Sequence, residues 1–285
     1  MQSYVLILLA TGAGAGFASG LLGVGGGFIM IPIAYWVIVA IGLPPATAIM
    51  VAFGTNLLVV LPTVVSGTWG HNKKKAVHWK AVLILGPCGL VGALVGATLA
   101  AHLPGEALKI GFGGVVLAVA LWMGLGVMPK YPSPDLSRGD RNKVREPRDD
   151  FWPLAACGFA VGMVSGLTGL GGGVLIVPVL VLLLSFPMLM AVGTSLASIM
   201  FTSLGGVIAY IINGLGVSGL LPYSIGYVNL PIWLCLAATS VPMAQLGIRT
   251  AHALPAKQLR YVFVVVMVYI GLKMIGVFTW LGLPI

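Results

Sequence analysis

Residues 20–33 read GLLGVGGGFIMIPI and residues 166–179 read GLTGLGGGVLIVPV. Gly20, Gly23, Gly25, Gly26, Gly27 and Pro32 thus recur as Gly166, Gly169, Gly171, Gly172, Gly173 and Pro178, each 146 residues later. Each glycine inside a helix costs about 1 kcal/mol relative to alanine. Three in a row predict that one helix ends near Leu22 and another starts near Phe28. The first N–H groups of a helix have no intrahelical partner and form the positive end of its dipole. Glycine-rich backbone there can cradle an anion without any charged side chain. The same residues also have a packing reading, because glycine lets helix backbones approach closely. With 41 glycines in 285 residues, about twice the ordinary usage of roughly 7%, many must serve that purpose. Both readings stay open at this point.

A second repeated element follows each glycine run. Ala52-Phe53-Gly54-Thr55-Asn56 matches Ala191-Val192-Gly193-Thr194-Ser195 at an offset of 139 residues, and Leu103-Pro104 matches Leu254-Pro255 at 151. Thr55, Asn56, Thr194 and Ser195 place polar groups in otherwise apolar segments. They could bond between helices or back to their own helix, or they could offer neutral donors to an oxyanion.

The elements that must position these groups are membrane helices. The chain is 59% hydrophobic and 7% charged, against about 25% charged in a soluble domain. Its apolar runs are continuous, whereas a lipid-facing barrel strand alternates. The fold class expected is an all-α integral membrane protein with about ten segments, some short, broken or re-entrant. These fall at 3–22, 27–41, 46–68, 81–101 and 106–127, then at 152–168, 173–186, 189–212, 227–250 and 258–280. The piece from Phe28 to Ile41 has 14 residues, or about 21 Å of helix, short of a hydrocarbon core of about 30 Å. Its glycine break should therefore lie inside the membrane. Unwound backbone at that depth is tolerated only where protein buries it or where it lines a watery cavity. The N-terminal MQSYVLILLA lacks the basic region of a cleavable signal and reads as part of the first helix.

The hydrophilic stretch 129–150 divides the chain into a first membrane repeat (1–128), a charged cytoplasmic linker and a second membrane repeat (151–285). Five segments per half predict that the second copy enters the bilayer from the opposite side. Charge placement agrees. The loop 71–80 carries Lys73, Lys74, Lys75 and Lys80, while its counterpart 213–226 carries none; at the next turn Arg249, Lys257 and Arg260 face Lys109 alone. With both termini outside, loop 71–80, the linker (Lys130, Arg138, Arg141, Lys143, Arg145, Arg148) and 249–260 place 13 of 15 basic residues in the cytoplasm, as the positive-inside bias requires. The net charge of +9 therefore points to the bilayer and not to nucleic acid. Inverted repeats of broken helices are characteristic of secondary transporters, with the substrate site near the midplane where the copies meet.

Absences narrow the chemistry. Glu106, Asp135, Asp140, Glu146, Asp149 and Asp150 all lie in loops or at a helix end. No spanning segment offers the carboxylate that cation binding or proton relays commonly use. Cys88, Cys157 and Cys235 sit singly in apolar segments without metal or disulfide spacing. His71 and His78 read as part of a solvated basic loop, and His102 and His252 as helix-end residues. Arg249 and Lys273 are the most nearly embedded cations and should snorkel to interfaces. Trp69, Trp79, Trp152 and Trp280 flank spans as interfacial anchors. No catalytic residues, metal site, cofactor or nucleotide motif is indicated, and the chain does not read as an enzyme.

Two GLxGxGGG…P elements, each followed by A-x-G-T-[SN], resemble the TauE/SafE family of sulfite-exporter-like permeases over nearly the whole chain outside the linker. The resemblance implies a bacterial inner-membrane permease for a small inorganic or organic sulfur anion such as sulfite or an organosulfonate. The family's glycine elements fall on Gly23, Gly25, Gly26, Gly27, Gly169, Gly171, Gly172 and Gly173, and its polar elements on Thr55, Asn56, Thr194 and Ser195. Export is favoured by the resemblance alone; an anion channel and an uptake permease for another small oxyanion are the alternatives.

Overall fold

The computed structural model describes residues 2–124, 150–251 and 256–277. The expected linker, apart from Asp150, falls outside these, as do His252, Leu254-Pro255 and Trp280. The described chain is helical. The first half contains α1 (Gln2–Leu22), α2 (Gly27–Ala40), α3 (Pro45–Lys73), α4 (Trp79–Ala101) and α5 (Gly105–Gly124). The second contains α6 (Phe151–Thr168), α7 (Gly173–Leu182), α8 (Met188–Gly214), α9 (Leu230–Ala251) and α10 (Ala256–Ile275). Seven of these (α1, α3, α4, α5, α6, α8 and α9) are long and apolar enough to cross a bilayer, and α2 is a shorter apolar helix. This is an all-α integral membrane protein. All ten sequence segments appear as helices, with ends shifted by a few residues.

The breakers act where their chemistry requires. Pro44 and Pro187 supply the extended N-caps of α3 and α8, a position where a missing N–H is harmless. Helix α7 stops at Leu182, short of the expected 186; Ser185 takes a positive φ of 58° and turns the chain toward Pro187. Between α8 and α9, two-residue strands β1 (Ser224–Ile225) and β2 (Val228–Asn229) form a small antiparallel ladder, β1 in the expected loop 213–226 and β2 at the start of the expected segment 227–250.

Packing recurs with the halves exchanged. Helix α4 lies against α6 as α9 lies against α1, and α4 touches α8 as α9 touches α3, while α3 meets its own counterpart α8 and α5 its own counterpart α10. The closest of these contacts explain much of the glycine content. A Cβ on Gly158, Gly162 or Gly166 of α6 would collide with the α4 backbone at Leu85, Gly89 or Ala93. Their counterparts 146 residues earlier, Gly12, Gly16 and Gly20 of α1, meet α9 at Leu236, Ser240 and Ala244. Small residues four apart give each helix pair a backbone-to-backbone seam.

One reading of the loops is corrected. His71 is not solvated: α3 runs on to Lys73, placing His71 in its last turn at 1% exposure. Gly193 of α8 comes so close that a Cβ there would sit 3.2 Å from the His71 Cβ. His78 instead caps α4, its Nδ1 accepting the Ala81 N–H at 3.3 Å, with its ring edge-on to Phe186. His102 caps the end of α4. Arg249 is exposed in the last turn of α9, and the Lys273 ammonium rests 3.8 Å from the centre of the Trp36 ring. Trp69, Trp79 and Trp152 are all exposed.

Candidate functional site

Both glycine runs break the chain as their composition demands. Helix α1 ends at Leu22, with the Gly23 N–H still bonded to the Ser19 carbonyl at 2.9 Å, and α6 ends at Gly169. The next helices start from left-handed N-caps, Gly26 at φ 75° and Gly172 at φ 86°, a conformation that only glycine adopts without strain. The Gly26 carbonyl accepts from Ile29 and Met30, and the Gly172 carbonyl from Leu175 and Ile176. Neither N-terminus has a side-chain cap, so the first N–H groups of α2 and α7 have no intrahelical bond. All of Gly23–Gly27 and Gly169–Gly173 are buried.

The two breaks touch each other in the middle of the molecule. A Cβ built on Gly27 would lie 3.1 Å from the Leu170 carbonyl oxygen, and one on Gly173 would lie 2.6 Å from that of Val24. Val60, fully buried at the midpoint of α3, stands between them: a Cβ on Gly25 or on Gly171 would approach its Cγ1 to 3.4 and 3.2 Å. Ile199, the α8 residue matching Val60, reaches Gly171 and Gly173.

Local space separates the glycines into two sets. At Gly23, Gly26, Gly27, Gly169 and Gly173 a Cβ would fall 2.6–2.8 Å from Val192, Ala15, Asn56, Phe53 and Ile199 respectively; these positions are closed by packing. At Gly25, Gly171 and Gly172 the nearest atoms are side-chain atoms 3.2–3.4 Å away. The packing reading therefore holds at those five positions, while Gly25, Gly171 and Gly172 meet only side-chain atoms at slightly longer range.

The polar elements bolt each half to the other. Asn56 donates through Nδ2 to the Gly169 carbonyl at 2.7 Å, and Ser195 donates to the Gly23 carbonyl at 3.1 Å. Gly23 and Gly169 are themselves counterparts, so the Asn/Ser difference preserves the bond. Thr55 accepts the Asn229 N–H at 2.9 Å, and Thr194 accepts the His78 N–H at 3.0 Å. Asn229 in turn accepts from Ile232 N–H as His78 accepts from Ala81. Each threonine thus anchors the residue that caps the helix packed across the seam. Replacing Asn56 with Ala strands a buried carbonyl and should destabilise the protein by about 1–3 kcal/mol. Thermal unfolding in detergent checks this. Combined with Ser195→Ala, the losses should depart from simple addition, because the two loops that these bonds hold touch each other.

Further polar groups reach this region that the motif comparison passed over. Ser19, Ser165 and Ser203 carry buried hydroxyls without a hydrogen-bond partner, as does the Asn56 Oδ1. Ser19 and Ser165 lie one helical turn before Gly23 and Gly169 and are 146 residues apart, a repeat legible in the sequence. Ser203 has no such signal, since Val64 stands at the matching position. Among the residues whose burial is described no Lys, Arg, Asp or Glu is buried, and among the described residues no group of His, Cys, Asp or Glu is placed to hold a metal. What the centre offers is neutral: helix N-termini, hydroxyls and amides.

Comparison with known proteins agrees with this architecture. A match to the sulfite exporter TauE/SafE family spans residues 8–274. A probable membrane transporter protein of Methanocaldococcus jannaschii is 31% identical over 94% of both chains. Others from Haemophilus influenzae and Bacillus subtilis are 27% and 29% identical over 96% of this chain and 99% of their own. No solved structure matches the chain significantly. This multi-pass membrane transporter belongs to the sulfite exporter TauE/SafE family.

Proposed function

We propose that the protein carries a small sulfur-containing anion, such as sulfite or an organosulfonate, outward across the bacterial inner membrane, from a site between its two halves at the bilayer midplane. The observation that carries this reading is the meeting of two uncapped, buried helix N-termini at the middle of α3 and α8. Helix α3 has 29 residues, about 43 Å of helix, so its centre lies far from either membrane surface. Two positive dipole ends there compensate an anion's charge where, among the residues whose burial is described, no basic side chain is buried.

In the proposed site the N–H groups of Gly25–Gly27 and Gly171–Gly173 face the anion. Gly23 and Gly169 shape the turns, and Asn56, Ser195, Thr55 and Thr194 hold the loops in register. The halves sit in the membrane in opposite orientations, with 71–80 and 129–150 cytoplasmic and both termini outside. The exchanged packing of the halves and the placement of basic residues support this topology. A negative-inside potential drives a monoanion outward by about 2.3 kcal/mol per 100 mV, so export needs no coupled ion.

Purified protein in liposomes should move sulfite in preference to sulfate. An inside-negative potential should accelerate its efflux, and an imposed proton gradient should have no effect. Absence of any anion flux overturns the reading, and flux far above transporter turnover would indicate a channel. An epitope tag at the C-terminus should be reachable from outside intact spheroplasts.

A further inference from the structure

The two glycine breaks are counterparts, but their surroundings differ. We infer that the anion sits off-centre, on the N-terminus of α7, where the hydroxyls of Ser165 and Ser203 join its backbone N–H groups as ligands. This rests on the anion-transport reading above.

Three differences carry it. The first is the wall behind the loop. A Cβ on Gly26 would lie only 2.6 Å from the Ala15 carbonyl oxygen, so α1 is closed against the first break. At the matching Gly172 the nearest atoms are side-chain atoms of Ser165 and Val161 at 3.3 Å, with the Ser165 Oγ at 3.5 Å. Helix α6 thus meets the second break through side chains instead of backbone, one of them the hydroxyl-bearing Ser165.

The second difference is on α8. The Ser203 Oγ would lie 3.3 Å from a Cβ on Gly171, while α3 has Val64 at the matching position. Both serines are at most 1% exposed, and neither hydroxyl has a hydrogen-bond partner; Ser19 beside the first break is orphaned as well, so what distinguishes the second break is the additional hydroxyl of Ser203. Two orphaned donors beside one uncapped helix start are costly in a low-dielectric interior unless a ligand accepts from them.

The third is the direction of the loop carbonyl. Thr202 donates to the Gly171 carbonyl at 2.8 Å, holding that oxygen toward α8. The matching Thr63 instead pairs with Ser240 at 2.8 Å and bonds back to Val59. The second break therefore has its carbonyl occupied, with its N–H groups left for an acceptor.

Hydroxyls from two different helices and the N–H groups of a third converge on a ligand with several acceptor oxygens. A pyramidal SO3 face, as in sulfite or a sulfonate headgroup, presents three. A halide presents one spherical surface and gains little from that spread.

The test is sulfite binding to the purified full-length protein, measured by calorimetry alongside thermal unfolding, for wild type, Ser165→Ala, Ser203→Ala and Ser19→Ala. Each of the first two variants should weaken binding about tenfold, the loss of one hydrogen bond to a charged group, whereas Ser19→Ala should bind as wild type. An equal loss in Ser19→Ala means a symmetric site and overturns the off-centre seat. Unchanged binding in both Ser165→Ala and Ser203→Ala overturns ligation by these hydroxyls. If Ser203→Ala fails to fold, Ser165→Ala decides alone. Failure of the wild type to bind sulfite, sulfate or an organosulfonate refutes the anion-transport reading itself, which separates the two failures.

Discussion

Gly16→Leu is expected to stop the protein accumulating in the membrane, while Gly14→Leu, two residues away on the same helix, is expected to leave its level unchanged. A side chain at position 16 has nowhere to go, because the backbone of Ser240 on α9 occupies the space where its Cβ would be. At position 14 nothing lies within 4 Å. Overpacking against side chains costs about 1–3 kcal/mol when neighbours can shift. Here the obstacle is the carbonyl of a packed helix, so the cost exceeds that range and the α1–α9 seam must separate. Gly162→Leu should fail for the same reason against Gly89 of α4, the counterpart seam. Membrane yield and gel-filtration profile of a fluorescent fusion measure both. Normal yield of Gly16→Leu would mean that the seam is not needed for assembly.

Gly171→Ala is expected to leave a folded protein whose sulfite flux is down at least about tenfold, the equivalent of one lost charge-assisted contact. Its nearest neighbours would be side-chain atoms of Val60, Ser203 and Ile199 at 3.2–3.4 Å, so the methyl group is accommodated once these side chains give by a few tenths of an ångström. What it changes is the conformation and the space for a ligand. Alanine at φ 80° costs about 1–2 kcal/mol, and the methyl group projects where the proposed anion sits. Gly216→Ala supplies the control, since it has a similar φ of 83° with nothing within 4 Å and lies in the turn after α8. Equal stability losses in the two variants, with a flux defect confined to Gly171→Ala, separate strain from site. If both transport at full rate, the glycine loop does not touch the substrate.

These predictions depend on which glycine is meant, and the motif alone does not say. GLLGVGGG and GLTGLGGG announce a helix break through local propensity, and both breaks lie where that predicts. Yet Gly26 is pressed against the Ala15 backbone while Gly172 meets α6 only through the side chains of Ser165 and Val161. That difference depends on Ala15 and Val161 in other helices, whose approach distance no local rule gives. Likewise Thr55, Asn56, Thr194 and Ser195 are recognisable as polar insertions, but their partners lie more than 110 residues away. His71 was misread because its helix continues two residues beyond it, under Gly193 of the opposite half.

By itself, then, the sequence determined the membrane class, the ten helices and their breaks, because hydrophobic run length, proline and glycine act within a few residues. Only the tertiary structure decided which glycines pack closest and which meet only side-chain atoms at longer range, and that the two breaks meet around Val60. It also decided that Ser165 and Ser203 share one neighbourhood, although they come from different helices and only one belongs to a repeated position. Those facts depend on how closely separate helices approach. That distance is set by the small-residue seams along α1–α9 and α4–α6 acting together, and no single segment encodes it.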